Sequence, residues 1–537
     1  MSPAEETMHS NSSQSIGRYG QWLSGRRAML WVLFISLLVK VSLAAIGKVA
    51  NPDGVLYIAA AQQYAMGNIS EALRLYPMPA FPVLIAMVHV IIPDWVTAAR
   101  AITIGAMVLA SIPIYGITAC LFNPRAAFWA AIFLAITPEA NENALRIIRD
   151  PLFLLFALTS VYFIIKSIQL RHLGWLCTGF LFACGAIVFR VEGVVILVMP
   201  VLFFLLFSII DKQVAMRRFA LKAGALWLGI PMISGLIGAL FLGPHVITQN
   251  RIDELIKEVH DLFKLSAFEK YRQIYDYFRE IHNAPPFSGF SHSLPATIRH
   301  WMPLIYLIGL VESLAKQIYA VFLVPLLFNI KPRLLAKSEK TTEKWFVLLL
   351  FAGYMLFLYY YLITRDKMVG RLLFTPAVLL YPWVGQGFCI MLDYLGKARR
   401  ARFLQFAVLV IMIALPCFKN AQAVLKSDRN AIAVGQFISE DKNLENRKIL
   451  FSDLRHSLYG EKMDRFLEIR NVAKIIKKRL ESDRVDEIES AAIAHQADAL
   501  VLFIKPKKSR PIPSFVQFAE YKRIEGEKGT TVIYLAQ

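Results

Sequence analysis

Long apolar runs separated by short polar segments dominate the chain up to about residue 418, and a mixed strand-and-helix pattern follows to the end. A membrane span needs about 20 mainly apolar residues. Eleven runs are candidates, over roughly 28–47, 99–121, 126–140, 151–168, 173–189, 193–210, 223–243, 303–330, 345–363, 372–394 and 403–418. The stretch 79–93 is also apolar, but it is short and bounded by prolines. It predicts a re-entrant or interfacial helix rather than a span. The expected class is therefore a polytopic α-helical membrane protein of about 11 spans.

Orientation follows from the polar segments. With the N-terminal tail 1–27 in the cytoplasm, alternate loops carry Arg125; Lys166 and Arg171; Lys212, Arg217, Arg218 and Lys222; Lys331, Arg333, Lys337, Lys340 and Lys344; and Lys397, Arg399, Arg400 and Arg402. Every one is basic, as the positive-inside rule requires. Counting 79–93 as a span would invert the alternation. The first apolar run has no convincing cleavage site after it, so it is expected to stay as an anchor. The membrane part, 28–418, then has outer loops at 48–98 and 244–302, and the C-terminus lies outside. The second of these loops contains RIDELIKEVHDLFKL, with Ile252, Leu255, Ile256, Val259, Leu262 and Phe263 at helical spacing, and a further run through Phe268, Tyr271, Ile274, Tyr275 and Phe278. Both predict helices lying on the outer leaflet.

From 419 to 537 the periodicity changes. Lys448–Ser452, Ala497–Ile504, Phe515–Lys522 and Thr530–Leu535 read as strands, the last two around the turn EGEKG. Helical patterns cover about 421–440, 464–480 and 484–495. This predicts an extracytoplasmic α/β domain.

Composition supports lipid as the solvent of the main part, since 56% of residues are hydrophobic. The formal charge of +20 does not point to nucleic acid, because the basic residues sit in the short loops. The five cysteines lie in or beside apolar runs, lack metal-ligand spacing and read as packing residues.

Outer-loop charges remain to be explained, because membrane insertion gives them no reason to be there. Asp53 precedes Gly54, a common turn pair, and Asp150 precedes Pro151 at a helix entrance. Each is either a local cap or turn residue or one of a carboxylate pair. Such a pair, with Glu139 and Glu142 close by in sequence, can hold a divalent metal or act as base and orienting group. Arg149, Arg190, Arg365 and Arg371 stand in three short outer segments. Guanidinium groups there can snorkel, pair locally or grip a phosphate head group. Tyr57 and Tyr76 fit either an interfacial aromatic belt or a stacking surface for a sugar or prenyl chain. Lys40 lies within the first span, where it is either buried for a function or snorkels outward.

These residues together resemble the GT-C membrane glycosyltransferases of the protein mannosyltransferase type, including the bacterial lipid A aminoarabinose transferases. The resemblance rests on Asp53, the Tyr-Pro-Met-Pro-Ala-Phe-Pro corner at 76–82, and Asn123-Pro124-Arg125-Ala126-Ala127. It continues through Asp150-Pro151-Leu152-Phe153, Arg190-Val191-Glu192-Gly193 and Arg371-Leu372-Leu373-Phe374, covering about 28–400. The family's corner often reads Pro-Pro, whereas here Met78 separates Pro77 from Pro79. The resemblance implies transfer of a sugar from a polyprenyl phosphate to a hydroxyl of a glycan, lipid or protein at the outer face of a bacterial inner membrane, with inversion. Asp53 then corresponds to the catalytic aspartate and Asp150 to the second-loop acidic residue. Arg371 corresponds to the basic position near the donor phosphate, with Arg149, Arg190 and Arg365 as further phosphate partners. Tyr57, Tyr76, Glu139 and Glu192 would shape the substrate site. No cofactor is implied beyond an optional divalent metal. A transporter or flippase of a lipid-linked substrate, and a non-catalytic scaffold, are the competing classes.

Overall fold

The computed structural model describes residues 25–47, 49–210, 213–229, 268–287, 293–329, 341–367, 370–397, 400–425, 430–463, 466–481, 484, 486–505, 512–526 and 528–537. The amphipathic run at 251–265, most of the candidate span 223–243 and the basic segment 331–340 lie outside them. The chain forms two compact units. One comprises Met1–Val39, Ala106–Asn141 and Asp150–Phe418; the other comprises Lys40–Gly105, Glu142–Arg149 and Lys419–Gln537.

Among the described residues, seven helices are long and apolar enough to cross a membrane, or eight if one bent pair counts as a span. The individual expected runs fare differently. The run at 126–140 becomes the shorter helix Pro124–Ile136, and 173–189 becomes Leu173–Phe189. The run at 303–330 breaks at Tyr319, whose φ is +71°, into Leu294–Ile318 and Ala320–Phe328. The run at 372–394 is a pair, Gly370–Leu379 and Tyr381–Leu395, bent by 54°. The proline-bounded stretch is a ten-residue helix, Ala80–His89, too short to span.

Small residues let the helices of the first unit approach closely. A Cβ at Gly385 would meet the Ala126 carbonyl, and one at Gly387 would overlap the Pro325 carbonyl. Only glycine therefore allows Tyr381–Leu395 to lie against both Pro124–Ile136 and Ala320–Phe328. The Asn-Pro-Arg segment starts one of these helices. Asn123 accepts a hydrogen bond from the Ala126 amide at 2.9 Å, and Pro124 holds the first helical position. The Tyr381 and Thr137 hydroxyls share a 2.6 Å hydrogen bond inside the same packing. Next to it, Ser160 donates to the Gly179 carbonyl at 2.7 Å, fastening Asp150–Leu170 to Leu173–Phe189.

The second unit is built on a four-stranded sheet of order β1-β2-β4-β3, with β1 Ile449–Phe451, β2 Ala499–Ile504, β3 Phe518–Gly526 and β4 Gly529–Ala536. β1 and β2 are parallel and the other pairs antiparallel. The two-residue period sends alternate side chains to opposite faces. Leu450, Leu500, Leu502, Val532 and Tyr534 join one core with Val472, Ile476 and Ile488. Ile449, Phe451, Ala499, Val501 and Ile533 join another with Val434 and Ile438. Helices Asn430–Glu440, Phe466–Glu481 and Asp486–Ala494 thus cover both faces, which explains why β1 and β2 are apolar at every position. Segments from 48–98 belong to this unit as well. The Tyr459 hydroxyl accepts from the Ala50 amide at 2.6 Å, and Arg470 donates to the Leu75 carbonyl at 3.0 Å. Lys40 is fully buried, so the snorkelling alternative does not hold.

Candidate active site

In the second unit, Asp53 stands in the first turn of the helix Pro52–Ala65 and is exposed. The Asp-Gly pair is not a turn. Gly54 is helical, and a Cβ there would come within 2.8 Å of Ile147, so close approach of the Glu142–Arg149 segment explains the glycine. Asn51 fixes this entrance by accepting from the Ile147 amide at 2.7 Å and donating to its carbonyl at 3.3 Å.

The proline corner brings Tyr76 and Phe81 edge-on to Tyr57, with centroids 4.9 and 5.1 Å away. Arg149 lies over the Tyr76 ring, 5.7 Å from its centroid, and donates to the Met78 sulfur. The residue that interrupts the Pro-Pro pattern is therefore a partner of the arginine. Burial raises the Tyr57 phenol well above its ordinary range, and Tyr76 reinforces the shift; Arg149 opposes it and Asp53 adds to it. Asp53, Tyr57, Tyr76 and Arg149 thus form one cluster. Among the described residues Arg149 has no carboxylate partner. A thioether is a weak acceptor and an aromatic face a modest one, so its guanidinium holds bonding capacity in reserve.

The first unit holds a second cluster. Leu173–Phe189 ends at Arg190, which is extended, and a single 3₁₀ turn, Val191–Gly193, leads to the next helix. That turn points Arg190 and Glu192 together: Nε and Nη2 of Arg190 donate to the Glu192 carboxylate at 3.1 and 2.8 Å. Its Nη1 donates to Asp150, at the start of Asp150–Leu170. Arg190 and Asp150 are 6% and 8% exposed. Arg371, Tyr354 and Thr375 line the same narrow pocket. Sequence reasoning missed Tyr354, a buried tyrosine within an apolar helix whose hydroxyl has no hydrogen-bond partner among the described residues. A polar group in a predicted span is the signal that would have found it.

Two expected residues of the first unit do not line the Asp150–Arg190 pocket. Arg365 is exposed in the last turn of Thr341–Arg365, and its carbonyl accepts from Lys270 at 3.5 Å. Glu139 lies in the first turn of Pro138–Leu145, within electrostatic reach of Tyr319 and Tyr381. Among the described residues, no group of three or more His, Cys, Asp or Glu side chains is placed to hold a metal ion.

Residues 76–237 match the model of the dolichyl-phosphate-mannose-protein mannosyltransferase family. An oligosaccharyltransferase from Archaeoglobus fulgidus, tethered to an acceptor peptide, aligns over 90% of this chain and 70% of its own, at 12% identity and TM-score 0.54. The chain has the GT-C glycosyltransferase fold. A second structure, archaeal oligosaccharyltransferase AglB from the same organism with an inhibitory peptide and a dolichol-phosphate, covers 88% of this chain and 69% of its own, at 11% identity and TM-score 0.50. ArnT from Cupriavidus metallidurans in the apo state covers 94% and 97%, at 12% identity and TM-score 0.49. No curated protein matches the sequence. The segment that matches the family model contains the proline corner, Arg149, Asp150, Arg190 and Glu192.

Proposed function

We propose that this GT-C protein transfers a sugar from a polyprenyl-phosphate donor to an acceptor hydroxyl at the outer face of a bacterial inner membrane. The observation that carries the reading is the cluster around Tyr57, where an exposed carboxylate, Asp53, shares its surroundings with Arg149, a cation lacking a carboxylate partner. Transfer needs both a base and a group to receive anionic charge.

In this scheme the acceptor oxygen attacks the anomeric carbon and its proton passes to Asp53. The bond from that carbon to the phosphate oxygen breaks, polyprenyl phosphate leaves, and the anomeric centre inverts. Arg149 takes up the charge that grows on the leaving phosphate, where a preorganised cation acts most strongly. Arg190 has a different part, because its donors already serve two carboxylates. It holds Asp150 and Glu192, and so the walls of the pocket that Arg371 and Tyr354 line. Supporting context comes from the neighbouring fold: the dolichol-phosphate in the AglB complex is a lipid-linked phosphate of the proposed donor class.

The test uses the full chain in proteoliposomes with a synthetic undecaprenyl-phosphate sugar. Asp53→Asn is expected to lower kcat by about 10²–10⁴ with little change in donor KM. Arg149→Ala is expected to raise donor KM. Asp53→Asn retaining transfer within twofold of the parent would sink the reading. Movement of intact donor across the bilayer without bond cleavage would favour the flippase class instead.

A further inference from the structure

The second unit contains a groove of about 1150 Å³ away from the Tyr57 cluster. This is at the upper end of sizes that hold small ligands. Its walls come from the end of the helix Pro52–Ala65, the start of Trp95–Leu109, and the region around Tyr459 beside the sheet.

The lining chemistry is specific. Gln62, Gln63 and Asn68 present planar amides; Asn68 donates to Gln63 Oε1 at 3.0 Å, which leaves the Gln63 amino group, the Asn68 oxygen and the Gln62 amide for a ligand. Trp95 and Tyr459 present rings with a polar edge. Trp95 is held in place by His89, stacked at a centroid distance of 3.5 Å. Tyr459 is held by the Ala50 amide at 2.6 Å. Arg100, 9% exposed, donates to the Val49 carbonyl at 2.7 Å and keeps a buried Nε–H without a partner. Asp94 and Glu461 are the carboxylates of the lining, against the single guanidinium of Arg100. This balance does not suit a phosphate or an anionic head group. A wholly apolar ligand would strand the amides. What satisfies all three sets is a neutral polyhydroxylated molecule, whose C–H faces pack on rings and whose hydroxyls pair with amides and carboxylates.

We propose that this groove binds a neutral glycan, and that it docks the acceptor for transfer. The second half of the proposal rests on the sugar-transfer reading above; the first half does not.

The experiment uses the full chain in nanodiscs and saturation-transfer NMR with neutral oligosaccharides of glucose, mannose and N-acetylglucosamine, with inorganic phosphate as comparator. At least one oligosaccharide is expected to bind, with affinity falling about tenfold in Trp95→Ala and in Gln63→Ala and largely retained in Trp95→Phe. Asp53→Asn is expected to bind it as the parent does. If glycosyl transfer occurs, Gln63→Ala should raise acceptor KM and leave kcat unchanged. Binding without any transfer by the parent chain would remove the enzyme reading and leave the glycan site standing. Absence of binding by every oligosaccharide, binding of phosphate alone, or oligosaccharide affinities untouched in both alanine variants overturns the site.

Discussion

The Asp150–Arg190–Glu192 cluster offers the sharpest test of how the first unit is held together. The perturbation is Asp150→Asn, which keeps side-chain volume and removes one charge. Arg190 is almost fully buried, so an unbalanced charge there cannot be hydrated. Removing one partner of a buried ion pair costs about 3–5 kcal/mol. Here Glu192 still accepts two hydrogen bonds from Arg190, so the loss should fall at the low end, about 3 kcal/mol. That is roughly a hundredfold in the folded population. Glu192→Gln should cost less, about 1 kcal/mol, because the Glu192 side chain is 23% exposed and water can replace part of its field. The double variant removes the charge of both carboxylates that the guanidinium engages. It should cost more than the sum of the singles by about 0.5–3 kcal/mol. The assay is denaturant unfolding of the purified protein in micelles, read by the tryptophan signal for parent, singles and double. An Asp150→Asn midpoint equal to the parent's, or strict additivity in the double variant, would refute the reasoning.

Other expectations follow from single contacts. Tyr354→Phe removes a buried hydroxyl with no hydrogen-bond partner among the described residues, so it should leave unfolding stability unchanged or raise it by about 1 kcal/mol. Tyr459→Phe deprives the Ala50 amide of its acceptor, and hydrogen exchange at that amide should quicken with a loss of about 1–2 kcal/mol. Asp453 responds to pH. Burial alone would raise its carboxyl, but hydrogen bonds and charge from Arg455, with a smaller contribution from His456, outweigh burial and hold it below the ordinary carboxylate range. A depressed native pKa stabilises at pH above the unfolded value and loses that effect as pH falls through the native one. The stability advantage of the parent over Asp453→Asn should therefore be complete above about pH 4 and shrink below it, in melts recorded from pH 7 to 3.

Much of this protein was legible along the chain because period and length are local properties. Twenty apolar residues must find lipid or a core, and basic loops mark one side. The four strands of the sheet fell on the short apolar runs, and the last two pair as a hairpin whose strands extend into the expected turn, with Gly526 opposite Gly529. Local chemistry also identified the proline corner and Arg190-Val191-Glu192 as places where charge or rigidity needed a reason.

What the chain could not disclose was partnership. Nothing near Met78 in sequence says that its sulfur faces Arg149, or that Gly54 is small because Ile147 approaches it. Arg190 looked like a phosphate ligand, yet two carboxylates occupy its donors, one of them 40 residues away. The span at 303–330 broke because tertiary packing holds Tyr319 in a left-handed conformation that hydropathy does not register. Ala50 and Tyr459 are 409 residues apart and share one hydrogen bond. Period and composition depend on neighbours in the chain, whereas buried polar groups must be matched wherever folding brings a partner, and only the folded structure states that match.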